Sequence, residues 1–220
     1  MHKSIYSLVL SDGVVEALDR MAYLRGYNRS QLINEILAEY VSYVTPEQRI
    51  REAFGRISAM LDGSDTFRLM SPPSDTLLSL GSPLLYKYNP TVRYSVELFR
   101  EEGGTVGELR VSLRTQNAAL LHALTQFYRL FDAVEQQALG PTGAAWSEGR
   151  YARPLRLRVQ GNTRVGSAAP ELLGELIAAY IRVFDAALKI YFRQMDEPAV
   201  ALREIERVYH AYLRSHTAVV

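Results

Sequence analysis

The sequence predicts an α+β protein in two parts. The first is a small, dimeric N-terminal unit of one strand and two helices. The second is a larger C-terminal domain with a β-hairpin sheet and three long helices. Three observations carry this. Residues 3–10 hold two β-branched residues and a tyrosine in eight positions, and two short stretches at helical period follow them. Residues 91–99 and 106–114 alternate on either side of Gly103-Gly104. From residue 117 onward, three long stretches repeat apolar residues at spacings of three and four.

In KSIYSLVL (3–10), Tyr6, Leu8 and Leu10 fall on one face and Ile5, Ser7 and Val9 on the other, which predicts a strand. Ser11-Asp12 offers a helix start, and Val14, Val15, Leu18, Met21 and Ala22 recur at helical spacing. Gly26 supplies the stop. Asn28 caps a second helix carrying Leu32, Ile33, Ile36, Leu37 and Tyr40. A lone strand and two half-wet helices cannot bury this much apolar surface, so the unit is expected to pair with a second copy.

Leu10-Ser11-Asp12, Gly26-Tyr27-Asn28-Arg29-Ser30 and Leu32-Ile33 stand in an order and at distances that resemble the ribbon-helix-helix (MetJ/Arc-type) DNA-binding domains. The resemblance covers about residues 3–43. It implies a sequence-specific transcriptional regulator of bacterial repressor type. Two chains would pair their strands into an antiparallel ribbon that reads the major groove of double-stranded DNA. Carried over by position, Ile5, Ser7 and Val9 face the bases, while Lys3, Asn28, Arg29 and Ser30 contact phosphate. The pattern departs from the family in its base-facing set, which offers one hydroxyl between two aliphatic side chains. Residues 1–40 also hold four basic side chains against five acidic ones, so they supply little nonspecific attraction to DNA. Two alternatives stay open: an antitoxin-type DNA-binding protein that neutralises a partner, and an assembly protein whose N-terminal unit only dimerises.

Thr45-Pro46-Glu47-Gln48 reads as a third helix start, with Ile50, Phe54, Ile57 and Leu61 as its apolar stripe. Asp62-Gly63-Ser64-Asp65 and Ser71-Pro72-Pro73-Ser74 predict a hinge over 62–76. The expected division is therefore 1–44, a connecting helix and hinge over 45–76, and a domain over 77–220 that oligomerises or senses an effector. With Gly103-Gly104 as the tip, Val96 would face Val111, Leu98 would face Leu109 and Glu97 would face Arg110. Residues 84–88 read as a further strand, and Leu155, Leu157 and Val159 as another. Helices are expected over 117–139, 170–195 and about 197–215, with Pro198 at the last boundary.

The chain holds 25 basic and 24 acidic residues, so no global field selects a polyanion or a membrane surface. Its lack of cysteine excludes disulfides, thiolate metal sites and a cysteine nucleophile. The four histidines have no metal-ligand spacing, and neither a phosphate loop nor a nucleophile elbow occurs. Neither catalytic residues, a metal nor a cofactor is expected, and the chain reads as a cytoplasmic protein without a membrane partner. One charge cluster stands out. Arg150, Arg153, Arg156, Arg158 and Arg164 fall within fifteen residues that hold no acidic side chain. Arg153, Arg156 and Arg158 are its candidate anion site, for a small anionic effector or for DNA, against the alternative of a solvated strand face.

Overall fold

A computed structural model describes residues 7–41, 43–62, 66–100, 104–159, 170–216 and 218–220. Lys3 and Ile5, expected at the DNA, lie outside these, as does Arg164. The chain forms two compact units, Met1–Arg49 and Ile50–Val220, so the division falls well before the expected hinge at 62–76.

The first unit is helical. Helix α1 (Asp12–Arg25) ends where Gly26 turns left-handed at φ 66°, a conformation that favours glycine. Helix α2 (Arg29–Tyr40) starts at Asn28, whose side chain accepts from the Gln31 amide. Leu18, Ala22 and Leu32 form a small core, with Tyr27 and Ile33 packed against it. Among the described residues the expected strand is not formed: residues 7–10 belong to no strand, and the described elements begin with α1. Side-chain type alone does not make a strand, which also needs a ladder for its amides and carbonyls, and no described segment pairs with 7–10. Leu8 and Val9 are left strongly exposed. Helix α3 (Pro46–Leu61) opens on Thr45, whose hydroxyl accepts from the Gln48 amide.

In the second unit, the α3 stripe of Ile50, Phe54, Ile57 and Leu61 is fully in the core. The strands are β1 (Arg68–Leu69), β2 (Leu77–Pro83), β3 (Thr91–Leu98), β4 (Gly107–Leu113), β5 (Ala145–Ser147) and β6 (Arg150–Leu155). They form one antiparallel sheet in the order β1-β2-β3-β4-β6-β5, in place of the expected hairpin sheet. Strands β7 (Arg158–Val159) and β8 (Ala218–Val219) pair separately. Three long helices complete the unit: α4 (Ala118–Leu139), α5 (Pro170–Arg193) and α6 (Pro198–Ser215). Among the described residues there are thus six helices and a six-stranded sheet.

One sheet face buries Leu78, Leu80, Val92, Tyr94, Val96, Leu109, Val111 and Tyr151, as period-two alternation demands. Phe184 of α5 is the hub of the helical layer. Its ring meets Phe131 at 4.8 Å, Tyr151 at 5.1 Å and Phe127 at 5.4 Å between centroids. Truncating such a ring costs about 3–5 kcal/mol, so this contact set is a main anchor of sheet to helices.

Three further expectations are corrected. The β3–β4 register places Val96 opposite Leu109 and Glu97 opposite Glu108, two residues from the expected pairing. A slip of two keeps every side chain on its face, so alternation cannot detect it. Residues 84–88 are not a strand; Tyr88 and Asn89 turn the chain there at positive φ. Finally, β6 ends at Leu155 and β7 begins at Arg158, so Arg156 and Arg158 do not share one strand.

Candidate functional site

The start of α2 is built locally. Left-handed Gly26 turns the chain and extended Asn28 (φ −83°, ψ 161°) re-enters the helix, with its Oδ1 accepting from the Gln31 amide at 2.9 Å. Arg29 and Ser30 then stand exposed on the first turn. That helix end carries partial positive charge and favours an anion. The Arg29 guanidinium is already engaged: Nε donates to Asp19 Oδ1 at 2.7 Å and Nη2 to Oδ2 at 2.6 Å. Those hydrogen bonds hold the Asp19 carboxyl below its ordinary range and raise Arg29. Both side chains are about half exposed, so an external anion can reach the fork and compete with Asp19. Ser7 and Val9, in the segment ahead of α1, are exposed.

The arginines of the basic stretch are dispersed. Arg153 is enclosed in the core, with Nε 3.1 Å from Glu135 Oε2 and its guanidinium carbon 4.4 Å from the centre of the Tyr180 ring. Arg156 is exposed, and its Nε lies 3.4 Å from the Thr105 hydroxyl. Arg158 donates to the carbonyls of Leu139 and Pro141, closing the C-terminal end of α4. Neither Arg156 nor Arg158 forks onto a carboxylate, and the three candidates do not meet on one surface.

Glu135 is a functional-looking residue that the sequence reading passed over. Its carboxylate accepts the hydroxyls of Tyr180 at 3.0 Å, Tyr209 at 3.1 Å and Tyr151 at 3.2 Å. Helices α4, α5 and α6 and strand β6 are tied together at this one group. Burial pushes the Glu135 carboxyl up, against the pull of Arg153 and the three hydroxyls. Burial likewise pushes the three tyrosines up, so each keeps its proton and donates. With Glu135 wholly buried and Arg153 nearly so, the network has no opening for a substrate, and its chemistry is cohesion. A signal was available in the sequence: Glu135 follows Phe127, Tyr128 and Phe131 on the buried stripe of α4, where a charge needs a partner.

Among the described residues, no group of three or more metal-binding side chains comes together, and no helix is long and apolar enough to cross a membrane. Comparison with family models, curated proteins and solved structures found no match to this chain.

Proposed function

We propose that the protein is a dimeric, sequence-specific DNA-binding regulator of transcription, with the Met1–Arg49 unit as its DNA-binding part. The observation that carries this reading is the Asn28-capped start of α2, with Arg29 and Ser30 exposed on its first turn. Such helix starts hold the phosphate backbone and set the register of a protein on a duplex. The likeness of Leu10-Ser11-Asp12 and Gly26–Ser30 to ribbon-helix-helix domains supports the same assignment. Exposed Leu8, Val9, Leu24, Leu37 and Tyr40 support self-association, because a core of only three residues leaves them without cover.

The test is selection of purified protein against randomised duplexes over a range of salt concentrations. A preferred sequence and a steep salt slope are expected; absence of both overturns the reading. Arg29→Ala should weaken all duplexes alike, whereas Ser7→Ala should change the preferred sequence. A second reading, an assembly protein that only dimerises, is favoured by one observation, the Arg29–Asp19 fork that competes with phosphate. Under that reading the selection recovers nothing while the dimer persists.

A further inference from the structure

Arg182, Lys189 and Arg193 lie seven and four residues apart along α5, roughly two turns and one turn, which puts them on one face of the helix. A pocket of about 380 Å³ opens over that face, with Phe67 and Ile190 as its apolar walls and Asp185 also lining it. Two of its cationic groups, Lys189 and Arg182, are held by hydrogen bonds to the protein. Lys189 Nζ donates to Asp185 Oδ2 at 2.6 Å and to Ser82 Oγ at 2.8 Å. Asp185 Oδ1 accepts from the Tyr94 hydroxyl at 2.9 Å. Ser82, Tyr94 and Asp185 are all buried, so the ammonium is anchored from beneath, and one of its three protons is left over. Arg182 is steadied by donating to the Met60 carbonyl. Arg193 is exposed and pairs with no described carboxylate.

We propose that this pocket binds a small phosphomonoester whose organic part is ring-sized. Three cations and one carboxylate leave two positive charges in excess, and both carboxylate oxygens are already occupied by Tyr94 and Lys189. A phosphomonoester near neutral pH carries about −1.5 to −2, which matches that excess; a carboxylate carries half of it. Guanidinium groups at the rim supply forked donors suited to phosphate oxygens, and the anchored ammonium supplies a point charge between them. Small-molecule pockets run from about 300 Å³ upward, so this volume takes a ring beside the phosphate, laid against Phe67 and Ile190. This inference does not depend on DNA binding by the other unit.

The experiment is calorimetric titration of the full chain, without DNA, using phenyl phosphate, inorganic phosphate and benzoate as probes. Saturable binding of phenyl phosphate is expected, at least tenfold tighter than either of the others. Arg193→Ala should weaken it about tenfold and Arg193→Glu should abolish it; because Arg193 makes no described ion pair, the unfolding midpoint should move only by the small effect of a changed charge at the C-terminal end of α5. Absence of saturable phenyl phosphate binding, or equal binding by both variants, overturns the site. Benzoate binding as tightly as phenyl phosphate overturns the phosphate assignment, and equal binding of inorganic phosphate overturns the organic half. An Arg193→Ala variant whose unfolding midpoint falls by more than that end-of-helix charge effect overturns the claim that Arg193 serves the ligand rather than the fold. Lys189 is unsuitable for substitution, since its removal strands the buried Asp185 charge.

Discussion

Glu135 and Arg153 form an ion pair at 3.1 Å with essentially no exposure to water, so each is the condition for the other's burial. Three tyrosine hydroxyls fill the rest of the carboxylate's demand. Breaking such a pair from one side leaves a bare buried charge. Arg153→Met is therefore expected to destabilise the Ile50–Val220 unit by about 3–5 kcal/mol in urea unfolding. Adding Glu135→Gln to that variant should restore part of the loss, because the stranded charge goes. A single Arg153→Met change costing less than about 1 kcal/mol contradicts the enclosed pair.

The raised Glu135 carboxyl fixes a direction with pH. Its folded pKa lies above the unfolded value, so the folded state binds the proton more tightly. The associated stability is fully present below the ordinary glutamate range. It is lost as pH rises through the window between the unfolded and the folded pKa. Unfolding free energies of wild type and Glu135→Gln, compared across that window, should show the wild type losing ground as pH rises. A difference that grows with pH shows that Arg153 and the tyrosines outweigh burial.

The Arg29–Asp19 fork sets one carboxylate against the proposed phosphate contact. Asp19→Ala frees the guanidinium and removes a nearby negative charge. Duplex affinity should rise, and the slope of log affinity against log salt should steepen by about one phosphate's worth. Arg29→Ala should do the reverse. Filter binding or fluorescence anisotropy across a salt series reads both.

Self-association through the first unit predicts that Leu8→Lys shifts the protein toward monomer in sedimentation, while the aromatic core of the second unit, centred on Phe184, stays folded. Leu8 is 60% exposed, so a lysine there costs the isolated chain little. An unchanged dimer places the contact away from the segment ahead of α1.

Two helical glycines should respond in opposite senses. A Cβ at Gly174 in α5 would lie 2.7 Å from both the Ala53 carbonyl oxygen and the Arg56 Cβ of α3. Gly174→Ala should therefore cost about 1–3 kcal/mol through overpacking. Gly55 on α3 has open space around the same position. Gly55→Ala should stabilise by about 0.5–1 kcal/mol, since alanine loses less freedom in a helix. Thermal unfolding midpoints decide both.

What the sequence determined by itself was local. Asn28 and Thr45 each accept an amide at the start of a helix, and a cap needs only the residues next to it in the chain. The long apolar stripes of α4, α5 and α6 were legible for the same reason, since a helix satisfies its own hydrogen bonds. Strands are different, because their partners are remote. Residues 7–10 fall in the expected strand yet form none, whereas Leu77–Pro83, broken up by Gly81, Ser82 and Pro83, lies inside the sheet because β1 and β3 flank it. The β3–β4 register was likewise open to a slip of two that the pattern cannot sense.

The sites divide in the same way. The helix start at Asn28-Arg29-Ser30 could be read from its residues in order, but not the Asp19 carboxylate that occupies Arg29. Arg153, Arg156 and Arg158 looked alike as charges in one segment. Tertiary structure gave them three environments: the Glu135 carboxylate, open solvent beside Thr105, and the carbonyls that end α4. The pocket over Lys189 joins α5 to Phe67, a residue more than a hundred positions away, and Lys189 itself is anchored by Ser82. A charge acquires its role from what the fold brings within a few ångströms of it, because ion-pair and hydrogen-bond energies decay over that distance whatever the separation along the chain.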